Sequence, residues 1–439
     1  MKICLDQSEL CRSIRMGNFY STLGKIEQIV GMTVEASGIS CNIGDVCRVS
    51  AGSDSHKYVL SEVAGFKEGK VILMPYSDMD GIGYGSFVEN TKEKLKIRMS
   101  EALIGRTVDA LGNPIDGKGP VEGDSYYSIN GARSNPLERP PIAQPLEFGV
   151  KAIDGMLTIG KGQRMGIFAG SGVGKSTLMG MIARNIKADV NVIALVGERG
   201  REVMEFINRD LGPEGLKRSV LVVATSDQPA MMRSKCALAA TAIAEYFKDM
   251  GKDVLLMMDS LTRYCMAERE IGLSIGEPPV ARGYTPSMYA SLPKLLERCG
   301  NFQTGSITGI FTVLVEGDDS NEPISDTVRG IIDGHIMLSR KIAMKNHYPA
   351  IDVTASISRL MSEIASPEQK KAASKIRKIM SLYQENSDLI SIGAYKSGSN
   401  PELDYAISKI NNINQFLQQP VDVKVDFDET VKIMTGIVA

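Results

Sequence analysis

Arg164-Met165-Gly166-Ile167-Phe168-Ala169-Gly170-Ser171-Gly172-Val173-Gly174-Lys175-Ser176-Thr177 is the stretch whose reading decides the fold. A strand-like run, Arg164 to Phe168, meets a glycine-rich turn, and Ser176 to Ile182 then carries a helical pattern. Strand, glycine loop and helix in that order form the setting of a phosphate-binding loop. Gly170, Gly172 and Gly174 let backbone N–H groups turn inward around phosphates, with Ser171 and Val173 between them. The helix beginning near Ser176 adds the positive end of its dipole. Lys175 supplies a point charge to the β and γ phosphates. Ser176 offers the hydroxyl that a magnesium ion bridging those phosphates needs, and Thr177 lies near the α phosphate. Ala169 stands where the strict motif has its first glycine, so this is the relaxed form. The reading is an ATP site with Mg2+.

Outward from the loop, β-rich runs alternate with helical ones: Val192 to Val196, Ala237 to Phe247, Val254 to Met258, Ile310 to Val315. That alternation predicts an α/β domain with a mostly parallel sheet. Ligands of such sheets bind at the C-terminal edge of the strands, where two acids fall. Asp259 ends the run Val254 to Met258 and is read as the acid of the magnesium shell. Glu198 follows Val192 to Val196 and is read as the residue that orients and polarises the attacking water. Arg199, next to it, is placed to reach the γ phosphate. The chain has three histidines, and the only one in a strand-like run, His335, reads as structural.

Before this domain, short β-rich runs from about Ser21 to Glu89, broken by Gly, Asp and Ser, predict a small β-barrel. A Pro-rich stretch through Pro136, Pro140, Pro141 and Pro145 reads as connection, and after Arg359 the pattern turns helical. The expected organisation is a partner-binding segment over 1–20, a β-barrel over 21–92, a RecA-like P-loop ATPase domain over 93–360 and a C-terminal helical domain over 361–439.

Charge is near balance, with 50 Lys and Arg against 52 Asp and Glu, so nothing global draws the chain to nucleic acid or anionic lipid. No run reaches the ~18 apolar residues of a spanning helix. The first residues, with Asp6, Glu9 and Arg12, do not read as a signal peptide, and secretion is not expected. Seven cysteines without a Cys-x-x-Cys pair fit a reduced, cytoplasmic setting.

Several further motifs occur in one order: Gly197-Glu198-Arg199-Gly200-Arg201-Glu202, Asp259, Gly305-Ser306-Ile307-Thr308, Tyr348-Pro349-Ala350 and Ser356-Ile357-Ser358-Arg359. Together with the phosphate loop they resemble the hexameric ATPases related to the α and β subunits of the rotary ATP synthase. In particular, Val222 to Pro229, Met257 to Ser260, Gly276 to Pro279 and Asp333 to Ile336 are similar to the ATPases of type III protein export, the flagellar members above all. The resemblance implies that Arg359 is an arginine finger serving the neighbouring copy's site and that Tyr348 stacks on the adenine. It also implies a homohexamer, in which each copy carries both the glutamate and the finger.

The implied partners are a regulatory stator protein at the N-terminus, a coiled-coil stalk in the ring pore near residues 271–279, export chaperone–cargo complexes and a membrane export gate. The implied location is cytoplasmic, at the inner face of the membrane. Injectisome ATPases share every site residue named here. A ring-shaped RNA translocase also joins a small barrel to this core, but acids at Asp45, Asp54 and Glu62 interrupt the barrel's aromatics, and no nucleic acid is expected.

Overall fold

A computed structural model describes residues 22–52, 57–123, 125–131, 135–315 and 322–439. The expected amphipathic segment over 1–20 therefore lies outside the described residues. Chain contacts divide the protein into two compact units that meet between Leu95 and Lys96.

The first unit is a closed barrel of β1 (Leu23–Val30), β2 (Thr33–Ser37), β3 (Asp45–Ser50), β4 (Tyr58–Lys67), β5 (Lys70–Pro75) and β6 (Phe87–Lys94), in the order β1-β2-β5-β4-β3-β6. Alternation drives it: Val59, Ser61 and Val63 of β4 point inward, and Ile26, Val34, Val49, Leu73 and Val88 fill the interior. β3 and β6 carry charges within their runs, Arg48 in one and Glu89, Lys92 and Glu93 in the other, which hid them from a search for apolar runs.

In the second unit, β7 (Lys96–Met99) and β9 (Ser125–Ser128) form a small ribbon. The main sheet holds β8 (Thr107–Val108), β10 (Arg164–Ala169), β11 (Val190–Glu198), β12 (Ser219–Thr225), β13 (Asp253–Asp259), β14 (Gly300–Asn301), β15 (Ser306–Leu314), β16 (Gly334–Leu338) and β17 (Ile351–Ser358). Its order is β17-β16-β10-β15-β13-β11-β12-β8, with β14 on the side of β15. The strands from β16 to β8 run parallel, and β17 returns antiparallel. β11 and β13 are buried on both faces, which is why they read as continuous apolar runs rather than alternating ones.

The helix Ala230–Asp249 packs on β11, β12 and β13. The C-terminal helices Pro367–Glu385, Pro401–Leu417 and Phe427–Val438 share one apolar core with the sheet, through Ile376, Leu403, Phe416 and Met434. Residues 271–274, read from the sequence as loop, are instead the last turn of the helix Leu261–Ser274. No helix among the described residues is long and apolar enough to cross a membrane.

A phosphate-binding site at the C-terminal sheet edge

β10 ends at Ala169 and the helix Lys175–Asn185 begins six residues later, so 170–174 form the predicted loop. Val173 is only 2% exposed and anchors the loop in the core, while Ser171 and Gly172 face solvent. Gly174 has φ +89°, a left-handed conformation that a side chain would strain, and it turns the chain straight into the helix. The helix starts without a side-chain cap, so its first N–H groups face the loop.

Three charged side chains converge there. Lys175 Nζ lies 2.5 Å from Asp259 Oδ1 and 3.7 Å from Glu198 Oε1. Thr312 Oγ1, on β15, donates to the same Asp259 oxygen at 2.7 Å. The register explains the convergence: Leu195 of β11 pairs with Asp259 of β13, beside β15 and β10. Glu198 follows an irregularity in β11 at Gly197, whose φ of +69° turns the next residue at the strand end. A Cβ at 197 would stand 3.1 Å from Cβ of Arg263, so a side chain there would press on Arg263 as well as strain the backbone.

Burial raises the Glu198 carboxyl to about 7; the nearby Asp259 charge and a hydrogen bond with Glu202 add to this, and Lys175 opposes it. Burial also opposes the charge of Lys175, but Asp259 and Glu198 outweigh it and hold the ammonium above its ordinary value. A carboxyl that titrates near neutrality beside a phosphate loop suits a group that handles a water proton.

The remaining predicted residues are spread more widely. The Tyr348 ring lies against the loop, 3.5 Å from where a Cβ on Gly174 would stand, and is 42% exposed. Arg199 is exposed at the rim and pairs with Glu202 at 3.6 Å. Arg359 is at the other edge of the sheet. Its N–H donates to Asp333 O at 3.0 Å and the Asp333 N–H to Arg164 O at 2.9 Å, which puts it level with the start of β10. The loop begins six residues further on, about 20 Å along the strand.

Arg263 was missed by sequence reasoning. It follows Asp259 by one helical turn, its stem packs on Gly197 beside Glu198, and its buried Nε has no hydrogen-bond partner. The spacing Asp259-x-x-x-Arg263 was the available signal.

The donors suit magnesium. Ser176 and Asp259 offer hard oxygens, and no group of three or more His, Cys, Asp or Glu gathers anywhere among the described residues. A metal here would be held mainly by phosphate oxygens and water, as magnesium is. The cavity of about 670 Å³ lined by His335, Ser358, Lys370 and Arg377 lies along β17, on the Arg359 side.

Loop, lysine and two strand-end acids on a parallel sheet define a P-loop ATPase. Family models agree: residues 149–358 match the nucleotide-binding domain of the ATP synthase alpha/beta family, 26–92 its beta-barrel domain, and 365–436 the T3SS EscN ATPase C-terminal domain. The chain belongs to the ATP synthase alpha/beta family and is an ATPase.

It is 54% identical to the flagellum-specific ATP synthase of Bacillus subtilis (strain 168) over 99% of both chains. Identity to the type 3 secretion system ATPase of Xanthomonas euvesicatoria is 47%, over 94% of this chain and 93% of that one. Among solved structures, the assembled ATPase EscN of the enteropathogenic E. coli type III secretion system matches with TM-score 0.90 at 45% identity, over 95% of this chain and all of that one. EscN in complex with its central stalk EscO matches at 0.88 and 44%, with the same coverage.

Proposed function

We propose that the chain works as a homohexameric ring whose ATP hydrolysis drives unloading and entry of substrates into the flagellar type III export apparatus. The observation that carries the ring is the placement of Arg359. One chain holds Lys175, Glu198 and Asp259 at one sheet edge and Arg359 at the other, so its own finger does not reach its own phosphate site. Two copies side by side complete one site, with Arg359 of one serving the γ phosphate held by the next.

In that site Gly170 to Gly174 cradle the phosphates, Lys175 neutralises their charge, and Ser176 and Asp259 hold Mg2+ when it is bound with ATP. When bound there, the metal would supply positive charge against the charge developing on the phosphate oxygens. Glu198 accepts a proton from the attacking water, Arg199 approaches the γ phosphate from the rim, and Tyr348 stacks on the base. The domain boundaries that go with this reading are 21–92, 93–360 and 361–439.

The flagellar assignment is supported by the relatives named for the flagellum, and a stalk partner by the EscN–EscO complex. A cytoplasmic protein docked on the inner face of the membrane, with stator, chaperone–cargo and export-gate contacts, completes the reading. Similarity to the type 3 secretion system ATPase of Xanthomonas euvesicatoria and to EscN of enteropathogenic E. coli favours an injectisome as the second reading. ATPase activity per subunit against protein concentration tests the ring: a steep rise with assembly is expected, and a flat curve from a confirmed monomer overturns it. Loss of motility with secretion otherwise intact, on deleting the gene, separates flagellum from injectisome.

A further inference from the structure

Gln419 lies in the loop between the helices Pro401–Leu417 and Phe427–Val438 and is only 3% exposed. A buried amide is unfavourable unless its donors and acceptor are used, and here they are. Its Oε1 accepts the Lys151 N–H at 2.8 Å, and its Nε2 donates to Gly149 O at 2.8 Å and Val423 O at 2.6 Å. Both amide hydrogens and the carbonyl are therefore committed to main chain, that of residues 149–151 and that of its own loop. Glutamate lacks the donors and asparagine is one methylene short.

The backbone N–H of this same residue donates to Tyr348 O at 3.0 Å. Tyr348 in turn sets its ring against Gly174 of the phosphate loop, 3.5 Å from where a Cβ there would stand. The side chain of Gln419 fixes its own main chain, and that main chain fixes the carbonyl of the residue whose ring borders the phosphate loop.

From this chain of contacts we infer that Gln419 is a positioning residue for base recognition: it holds the Tyr348 ring where a purine base can stack, and so sets preference for ATP over pyrimidine triphosphates. The inference rests on the reading of Tyr348 as the base-stacking residue. Stacking matters more for a purine than for a pyrimidine, so a displaced ring lowers selectivity and raises KM with little effect on the phosphate chemistry at Lys175 and Glu198.

The test is steady-state kcat/KM for MgATP and MgCTP on full-length protein. Tyr348→Ala and Gln419→Met are each expected to lower the ATP-over-CTP ratio about three- to tenfold, the range of one aromatic contact, with the loss for ATP falling chiefly on KM. The ratio does not depend on the active fraction, so partial misfolding does not imitate the effect. Lys151→Pro removes the N–H from which Gln419 accepts together with the lysine side chain, at a first helical position that tolerates proline, and is expected to lower the ratio as well. Lys151→Ala keeps that N–H and is expected to match the wild type.

A drop with Tyr348→Ala but none with Gln419→Met or Lys151→Pro overturns the inference and leaves the Tyr348 reading standing. An unchanged ratio with Tyr348→Ala overturns both. Should Gln419→Met not fold, Lys151→Pro against Lys151→Ala decides.

Discussion

Lys175 and Asp259, 84 positions apart in the chain, are joined by a 2.5 Å contact between Nζ and Oδ1, with both side chains nearly buried. Breaking such a pair leaves a charge without its partner, whereas an isosteric change keeps the packing. Asp259→Asn retains the Thr312 contact and is expected to fold, while turnover of MgATP falls by about 10²-fold or more. Thermal unfolding and kcat, measured together, check this; near-normal turnover removes Asp259 from the site.

Glu198→Gln is expected to leave nucleotide affinity within a few fold and to lower kcat by about 10²- to 10⁴-fold. Equilibrium binding of a fluorescent ATP analogue and single-turnover hydrolysis separate the two effects.

The same substitution carries a pH signature. The folded Glu198 carboxyl sits near 7 against an ordinary 4.5. Between those values the folded protein holds a proton that the unfolded chain has lost, so the contribution is present below 4.5 and is lost as pH rises through 7. Glutamine carries no such penalty. Its stability relative to wild type is expected to rise between pH 5 and pH 8, by on the order of 2 kcal/mol. Denaturant unfolding at both pH values is the check, and a pH-independent difference contradicts the assignment.

Arg359→Ala is expected to lose ATPase activity, since a finger supplied by a neighbour is worth about 10³- to 10⁵-fold. Mixing it with Lys175→Ala is expected to restore part of the rate, because some junctions then pair an intact loop with an intact finger. No rescue at any ratio, with mixed rings confirmed by native mass spectrometry, contradicts a shared site.

Chelation of divalent cations is expected to stop hydrolysis, and Ser176→Ala to raise the magnesium concentration for half-maximal rate by about tenfold. A titration at fixed ATP measures it; an unshifted midpoint removes Ser176 from the metal shell.

Much of this was legible in the residues. The glycine spacing at 170–174 marked the phosphate loop because few sequences other than glycine can turn N–H groups inward there. The apolar runs of β11 and β13 marked central parallel strands because both faces are covered. Less legible were β3 and β6, whose charges interrupt the apolar pattern, and Arg263, whose importance comes only from the surface it shares with Gly197.

Sequence alone determined the local chemistry: which strand leads into which loop, which acid ends which strand, and which residues are candidates to meet phosphate and magnesium. Those are properties of short spans, set by steric and hydrogen-bonding rules that act within a few residues. Tertiary structure alone decided what those spans are near. Strand order brought Glu198 and Asp259 to Lys175, while the antiparallel return of β17 carried Arg359 to the opposite edge. The helical tail came back onto the sheet and placed Gln419 beneath Tyr348. Distances between residues far apart in the chain follow from strand order and packing, which no local pattern encodes.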